Sequence, residues 1–387
     1  MSEQLKHFIN ELNKLMETIP DLRNTNKKMN IEEFFKRRIV LKSMPRMVFI
    51  ELTRACNLAC PMCRNNIISG RKYFMKNEIL LKIIRELFAY VGVVDLRGWG
   101  ESALDDRLLP MIDFCNSLGI RVRIYTNLVA RDEKFWFEVG KRHIDVGISV
   151  DAATPKLYEK IRRGASFKKF LRNLKALSEA RIKYNVNSET FFNAIISDDN
   201  INEIPKLVIL ASKFSIKTVR LNPITLPQEN IRYPRIGVSP DMIRELKQAL
   251  KRAQKLANNL GISLELGANL APARQGGFDL CIRPWMFTFI RYDGKVGFCD
   301  HQVANDFSLL GDITTNSFRE IWNNDAYRQL RNEHIRRNFK RLRELGIECD
   351  WCYYNRYADF EYLFVESYKP LRINDLSIDE SFTTEQH

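Results

Sequence analysis

Cys56-Asn57-Leu58-Ala59-Cys60-Pro61-Met62-Cys63 places three thiols within eight residues, directly after the apolar run Val48–Leu52. Three thiolates on one loop can converge on a single iron-sulfur cluster if the loop wraps around it. Electron-transfer clusters take four Cys. A structural zinc site also needs a fourth protein ligand, and the five His of the chain all lie far away in sequence. Three ligands would leave one iron open to an outside group.

Around this loop, short apolar runs alternate with amphipathic stretches. The strand candidates are Val48–Leu52, Val93–Leu96, Val122–Tyr125, Asp145–Val150, Thr190–Ile196 and Thr218–Leu221. Between them, Asn77–Tyr90, Leu108–Leu118, Glu133–Lys141, Phe167–Ala180 and Ile201–Phe214 carry helical spacing. Strands alternating with helices predict βαβ units and a parallel sheet. Right-handed crossovers then leave a barrel or an open wound sheet.

The chain has 387 residues, 45% hydrophobic, with a formal net charge of +14 and 8 Cys. That is enough apolar material for a real core, which excludes disorder as the main description. The N-terminus lacks the apolar core of a signal peptide. No window of about 18 residues is free of charge, so no membrane helix is expected. These features predict a cytoplasmic protein, where thiols stay reduced and clustered Cys read as metal ligands. No helix-turn-helix, zinc-finger or RNA-recognition signature is present, so nucleic acid is not the expected partner. The densest basic stretch, Arg328 to Arg343, reads as a solvated helix face.

The C-x3-C-x2-C loop after the first strand resembles that of the radical S-adenosylmethionine (radical SAM) enzymes. The resemblance covers about residues 46–225 and implies a partial (β/α)6 TIM-like barrel. It implies that Cys56, Cys60 and Cys63 hold a [4Fe-4S] cluster whose open iron binds SAM. Reduction would split SAM into methionine and a 5′-deoxyadenosyl radical that takes a substrate hydrogen atom. Met62 matches the position that covers the cluster in the family. Gly98-Trp99-Gly100-Glu101, at the end of the second strand, resembles the motif that meets the SAM methionine, with Ser102 where a Pro is usual. Asn127 ends the third strand; Ser149 and Asp151 end the fourth, and Arg162 follows. The resemblance carries SAM contacts to these positions. On residue type alone, Asp151 and Arg162 read as an exposed ion pair. A parallel barrel places its chemistry at these C-terminal strand ends.

A second group comprises Cys281, Cys299, Cys349 and Cys352, with Asp293-Gly294 signalling a hairpin between Met286–Tyr292 and Val296–Phe298. Four Cys satisfy one closed site, with zinc as the physical rival. The layout resembles the SPASM/twitch extension, a small α+β unit, and implies one auxiliary [4Fe-4S] cluster. The remaining thiol, Cys115, shares an apolar helix face and reads as core.

The expected organisation is a helical lead-in (1–45), the barrel (46–230), a linker helix region (231–275), the auxiliary-cluster unit (276–360) and a tail (361–387). Leu226–Ser239 reads as a linker, and the acidic tail after Asn374 as frayed. The leading expectation is oxidation of a sugar-like or other small polar metabolite, anionic in keeping with the net charge. The alternatives are a peptide- or protein-modifying maturase, an epimerase, or a non-catalytic Fe-S or zinc scaffold. Flavodoxin or ferredoxin is the expected electron donor. Glu51, Arg97, Tyr125, Asn193, Arg220 and Asn222 are barrel-mouth candidates by strand position.

Overall fold

Hydrophobic alternation builds this protein around one sheet. The computed structural model describes residues 2–63, 73–223, 240–266, 280–299, 309–347, 349 and 371–372. Cys352, the linker Leu226–Ser239 and the tail after Asn374 lie outside them.

The strands are β1 (Met47–Ile50), β2 (Val93–Asp95), β3 (Arg121–Thr126), β4 (Asp145–Ser149), β5 (Thr190–Ile196), β6 (Thr218–Pro223), β7 (Ser263–Leu266), β8 (Phe287–Ile290), β9 (Lys295–Gly297), β10 (Gly311–Asp312) and β11 (Leu371–Arg372). Their order is β10-β9-β8-β1-β2-β3-β4-β5-β6-β7-β11. Every pair from β8 through β1 to β7 is parallel. All six expected strands are present, and β7 and β8 extend the parallel run at either end. The expected hairpin forms between β8 and β9. Its first strand also pairs with β1, joining the C-terminal unit to the barrel sheet.

The two sheet faces differ in chemistry. Outward positions such as Val48, Ile50, Val122, Ile124, Val146 and Ile148 pack in the main core. On the inner face, Met47, Phe49, Phe287 and Phe289 form a separate apolar plug with Val93. Above the plug the lumen is charged and aromatic. Arg97 is stacked between Phe49 and Tyr125, 4.4 Å from each ring, and pairs with Asp95 at 3.3 Å. Arg123 lies 3.8 Å from the same carboxylate. Arg220 lies over Phe191 and pairs with Glu265 at 2.5 Å and Glu189 at 2.6 Å.

Helices cover the outside and start where polar caps sit. Asp132 accepts from the Phe135 amide and Ser166 from the Lys169 amide, satisfying first-turn donors. Two N-terminal helices, Glu3–Met16 and Arg23–Phe35, precede the barrel. The second clasps the segment that follows it. Asn26 donates to and accepts from Met44, and Glu33 accepts from the Lys42 and Ser43 amides. Trp285 and Trp322 donate to Arg38 and Ser43 carbonyls from the C-terminal unit.

The basic stretch forms two helices, Asp325–Arg336 and Phe339–Glu344, divided at Arg337 in the left-handed region. The expectation of a wholly solvated face is corrected at Arg331. That guanidinium is buried, donates to the Pro284 and Ile39 carbonyls and stacks on Trp322 and Tyr327. Cys115 is buried in the core, as its helix face predicts.

Candidate active site

The loop after β1 is pinned by its own main chain. Met75 donates to the Leu52 carbonyl at 2.8 Å, Arg54 to Tyr73 at 2.9 Å and Ala59 to Arg163 at 2.9 Å. The Thr53 hydroxyl donates to the Tyr73 carbonyl and accepts from Ala55. This anchoring leaves Cys56 and Cys60 half-buried and Cys63 exposed, none of them in a disulfide. Burial, with Glu101 and the neighbouring thiols adding to it, pushes the Cys56 thiol up to about 12. Metal binding would therefore release a proton there.

Gly98-Trp99-Gly100-Glu101 lies against this loop. A Cβ on Gly100 would stand 2.4 Å from the Thr53 carbonyl oxygen and 2.5 Å from that of Ala55. Only a residue without a side chain lets the two segments touch. Glu101 donates its amide to the Ala55 carbonyl. Its buried carboxylate accepts from Thr126 at 2.8 Å, Asn127 at 2.7 Å and Ala103 at 3.1 Å. The carboxylate thus locks the loop after β2 to the end of β3. Asn127 returns its side-chain amide to Asn57 at 2.9 Å and to the Cys56 sulfur at 3.9 Å.

Asp151 and Arg162 form a buried ion pair at 2.6 Å, which corrects the exposed pair read from residue type. Asp151 also accepts from the Ile195 amide. Burial acts to lower the Arg162 pKa, but Asp151 and the Cys60 thiol more than offset it, so the guanidinium stays above its ordinary range. Burial raises the Cys60 pKa, and the Arg162 charge in turn acts to lower it, by less. Ser149 is half-buried at the end of β4, beside Asn193 of β5. Met62 is half-buried on the loop. All these positions therefore meet at the C-terminal ends of β1 to β5.

Glu51, expected from strand position only as a barrel-mouth candidate, turns out to link two loops. Its buried carboxylate accepts from the Trp99 amide at 2.9 Å and the Tyr292 amide at 3.4 Å. Burial raises its pKa, against the Trp99 bond and the nearby Arg54. Its Cγ lies 2.2 Å from where a Gly98 Cβ would stand, which explains the glycine. One carboxylate thus spans the loop after β2 and the turn after β8.

In the second group, Cys281, Cys299 and Cys349 are buried. Burial, with Cys299 adding to it, pushes Cys281 up to about 12. Among the described residues, no three His, Cys, Asp or Glu side chains are gathered as they would be around one metal ion. A four-iron cube holds its thiolates farther apart than a single ion does. The loop after β1, with two half-buried thiols, one exposed thiol and a buried cation at Cys60, fits the cluster.

The family comparison decides the matter. Residues 50–211 match the model of the radical SAM superfamily, and residues 281–353 match SPASM, an iron-sulfur cluster-binding domain. The chain is a radical SAM protein with a C-terminal SPASM domain. Such a protein binds a [4Fe-4S] cluster with SAM, and its SPASM domain binds auxiliary iron-sulfur.

The mycofactocin maturase MftC of Mycolicibacterium smegmatis is 22% identical over 301 residues, 73% of this chain and 71% of that one. An AdoMet-dependent heme synthase of Methanosarcina barkeri is 23% identical, covering 82% and 91%. The crystal structure of Streptococcus suis SuiB bound to the precursor peptide SuiA superposes with a TM-score of 0.61 at 17% identity, over 79% of this chain and 71% of that one. At that identity the likeness establishes the fold. This radical SAM protein has no helix, among the described residues, long and apolar enough to cross a membrane.

Proposed function

We propose that this radical SAM protein is a maturase that modifies a peptide. Cys56, Cys60 and Cys63 hold the SAM-binding cluster. Cys281, Cys299, Cys349 and Cys352 hold one auxiliary [4Fe-4S] cluster. Bound and reduced, the cofactors supply a 5′-deoxyadenosyl radical that removes a hydrogen atom from the substrate. Met62, the main chain of Gly98-Trp99-Gly100, Asn127, Ser149 and Arg162 line the SAM pocket. Arg162, fixed by Asp151, presents positive charge beside Cys60. Glu101 holds the pocket wall through three main-chain and side-chain donors. An electron donor such as flavodoxin or ferredoxin belongs to this reading.

The observation that carries the peptide assignment is the class of the relatives, and the strand order agrees with it. The end strands β7 and β8 pair with β11 and β9, not with each other. Among the described residues the sheet is therefore not closed on itself, which agrees with a site that takes an extended chain. SuiB's precursor peptide and the maturase name of MftC support the same class. Oxidation of a sugar-like metabolite has no counterpart among the relatives named above. Arg97, Arg123 and Arg220 pair with lumen carboxylates, so these three cations offer an anion little uncompensated charge.

The test uses protein reconstituted anaerobically with iron and sulfide, reduced, and given SAM and a peptide library. Mass spectrometry should find 5′-deoxyadenosine together with altered peptide, and Cys60→Ala should abolish both. Iron content should approach about eight per chain, as two four-iron clusters require. Radical formation driven by cyclitols or amino sugars, with every peptide unchanged, overturns the assignment.

A further inference from the structure

Two side-chain amides face each other at the barrel mouth. Asn222 of β6 donates Nδ2 to Oδ1 of Asn193 on β5 at 3.0 Å. Both are half-buried. They stand one step above the packed Phe191–Arg220 pair, toward the C-terminal strand ends. Asn193 is in register with Ser149, so the pair adjoins the pocket assigned above to SAM.

Pairing two amides leaves a fixed remainder. Asn193 keeps its NH2 and Asn222 keeps its carbonyl oxygen, with no other side-chain partner among the described residues. If both amides were turned over, the roles would exchange, but one donor and one acceptor would still remain. This is the face that a neighbouring β-strand shows. In a hydrogen-bonded antiparallel pair, one residue gives its N–H and takes with its C=O on the same side.

The surroundings select against charge. Arg97 is bound to Asp95 and Arg220 to Glu189 and Glu265. Arg291 is bound to Asp293 at 2.6 Å. Among the described residues, an anion entering here would meet cations already paired with carboxylates.

We propose that the Asn193–Asn222 pair reads the main chain of the substrate, binding the N–H and C=O of one residue of an extended peptide. This rests on the peptide assignment and deepens it. Holding those two groups presents the Cα between them to the site at Ser149. The pair is a specificity element that is indifferent to the bound residue's side chain.

The test titrates the reconstituted, SAM-loaded protein with tetra-alanine, a peptide with minimal side chains, and follows binding by saturation-transfer NMR. A depsipeptide analogue with one amide N–H replaced by an ester oxygen, and myo-inositol, serve as comparison ligands. Tetra-alanine should bind, the depsipeptide about tenfold more weakly, and myo-inositol not at all, since a lost neutral hydrogen bond is worth roughly that factor. Asn193→Leu and Asn222→Leu should each weaken tetra-alanine by about the same factor, with circular dichroism verifying the fold. The depsipeptide arm needs no variant, so it stands even if a variant misfolds. Equal binding of tetra-alanine by the variants, or an equal weakening of SAM, overturns the amide-pair role while leaving the peptide assignment standing. A wild-type protein that takes myo-inositol and no tetra-alanine overturns both.

Discussion

Asp151 shows how one side chain can carry a site without facing solvent. It fixes Arg162 and receives the Ile195 amide, all within a buried volume. Asp151→Ala leaves a buried guanidinium unpaired, which costs about 3–5 kcal/mol. The midpoint of urea unfolding should fall accordingly, and an unmoved midpoint would show that Arg162 finds another partner. His334 behaves differently. Burial holds its imidazole down at about 3, well below the ordinary value of 6.5. Once unfolded, the chain binds that proton from pH 6.5 downward while the folded protein refuses it. Stability is therefore full above about pH 6.5 and falls as the pH drops toward 3, by up to about 1.4 kcal/mol per pH unit. Replacing His334 with Phe should flatten this slope in acid denaturation curves, and an unchanged slope would locate the effect elsewhere.

At the level of elements, Glu51 ties the loop after β2 to the turn after β8. Both oxygens accept main-chain N–H groups, so Glu51→Gln aims an NH2 at one of them. The loss should be about 1–3 kcal/mol, read as a lower denaturant midpoint; no loss would mean that the carboxylate is dispensable as a link. Much of this level was legible in advance. The six expected strands all form because their apolar runs are flanked by helical spacing and because the thiol loop marks the first strand end. The missed strand β7 is four residues long, and its only signal is Gly261, which ends the preceding helix at a positive φ of 66°. The helix Pro155–Ile161 was missed for its seven residues, which sit inside a motif read as loop.

Across the whole molecule, what stayed hidden was pairing between distant positions. Nothing near Phe287 in sequence announces that β8 lies against β1. Arg331 looked like any residue of a basic helix. Its partners are carbonyls at positions 39 and 284, which spacing along one helix does not show. The net charge of +14 was similarly uninformative about position. It is a sum over the whole chain and does not place its excess of Lys and Arg at the barrel mouth. The thiol loop and the glycines at 98 and 100 stood out in the sequence because each position needs a particular residue type. Glu51 stood out less, since a carboxylate on a strand fits many roles.

The parallel pairing of β1 with β8 also governs how the chain comes off the ribosome. Met47 and Phe49 are made early, yet their partners Phe287 and Phe289 emerge only after the rest of the barrel. Until then β1 is an edge strand whose inner residues lack their apolar cover, the kind of surface that invites association with other chains. The barrel's first strand is therefore among the last to be secured. The contacts of the N-terminal helix with residues 42–44 join segments made before β8, so they do not depend on its arrival.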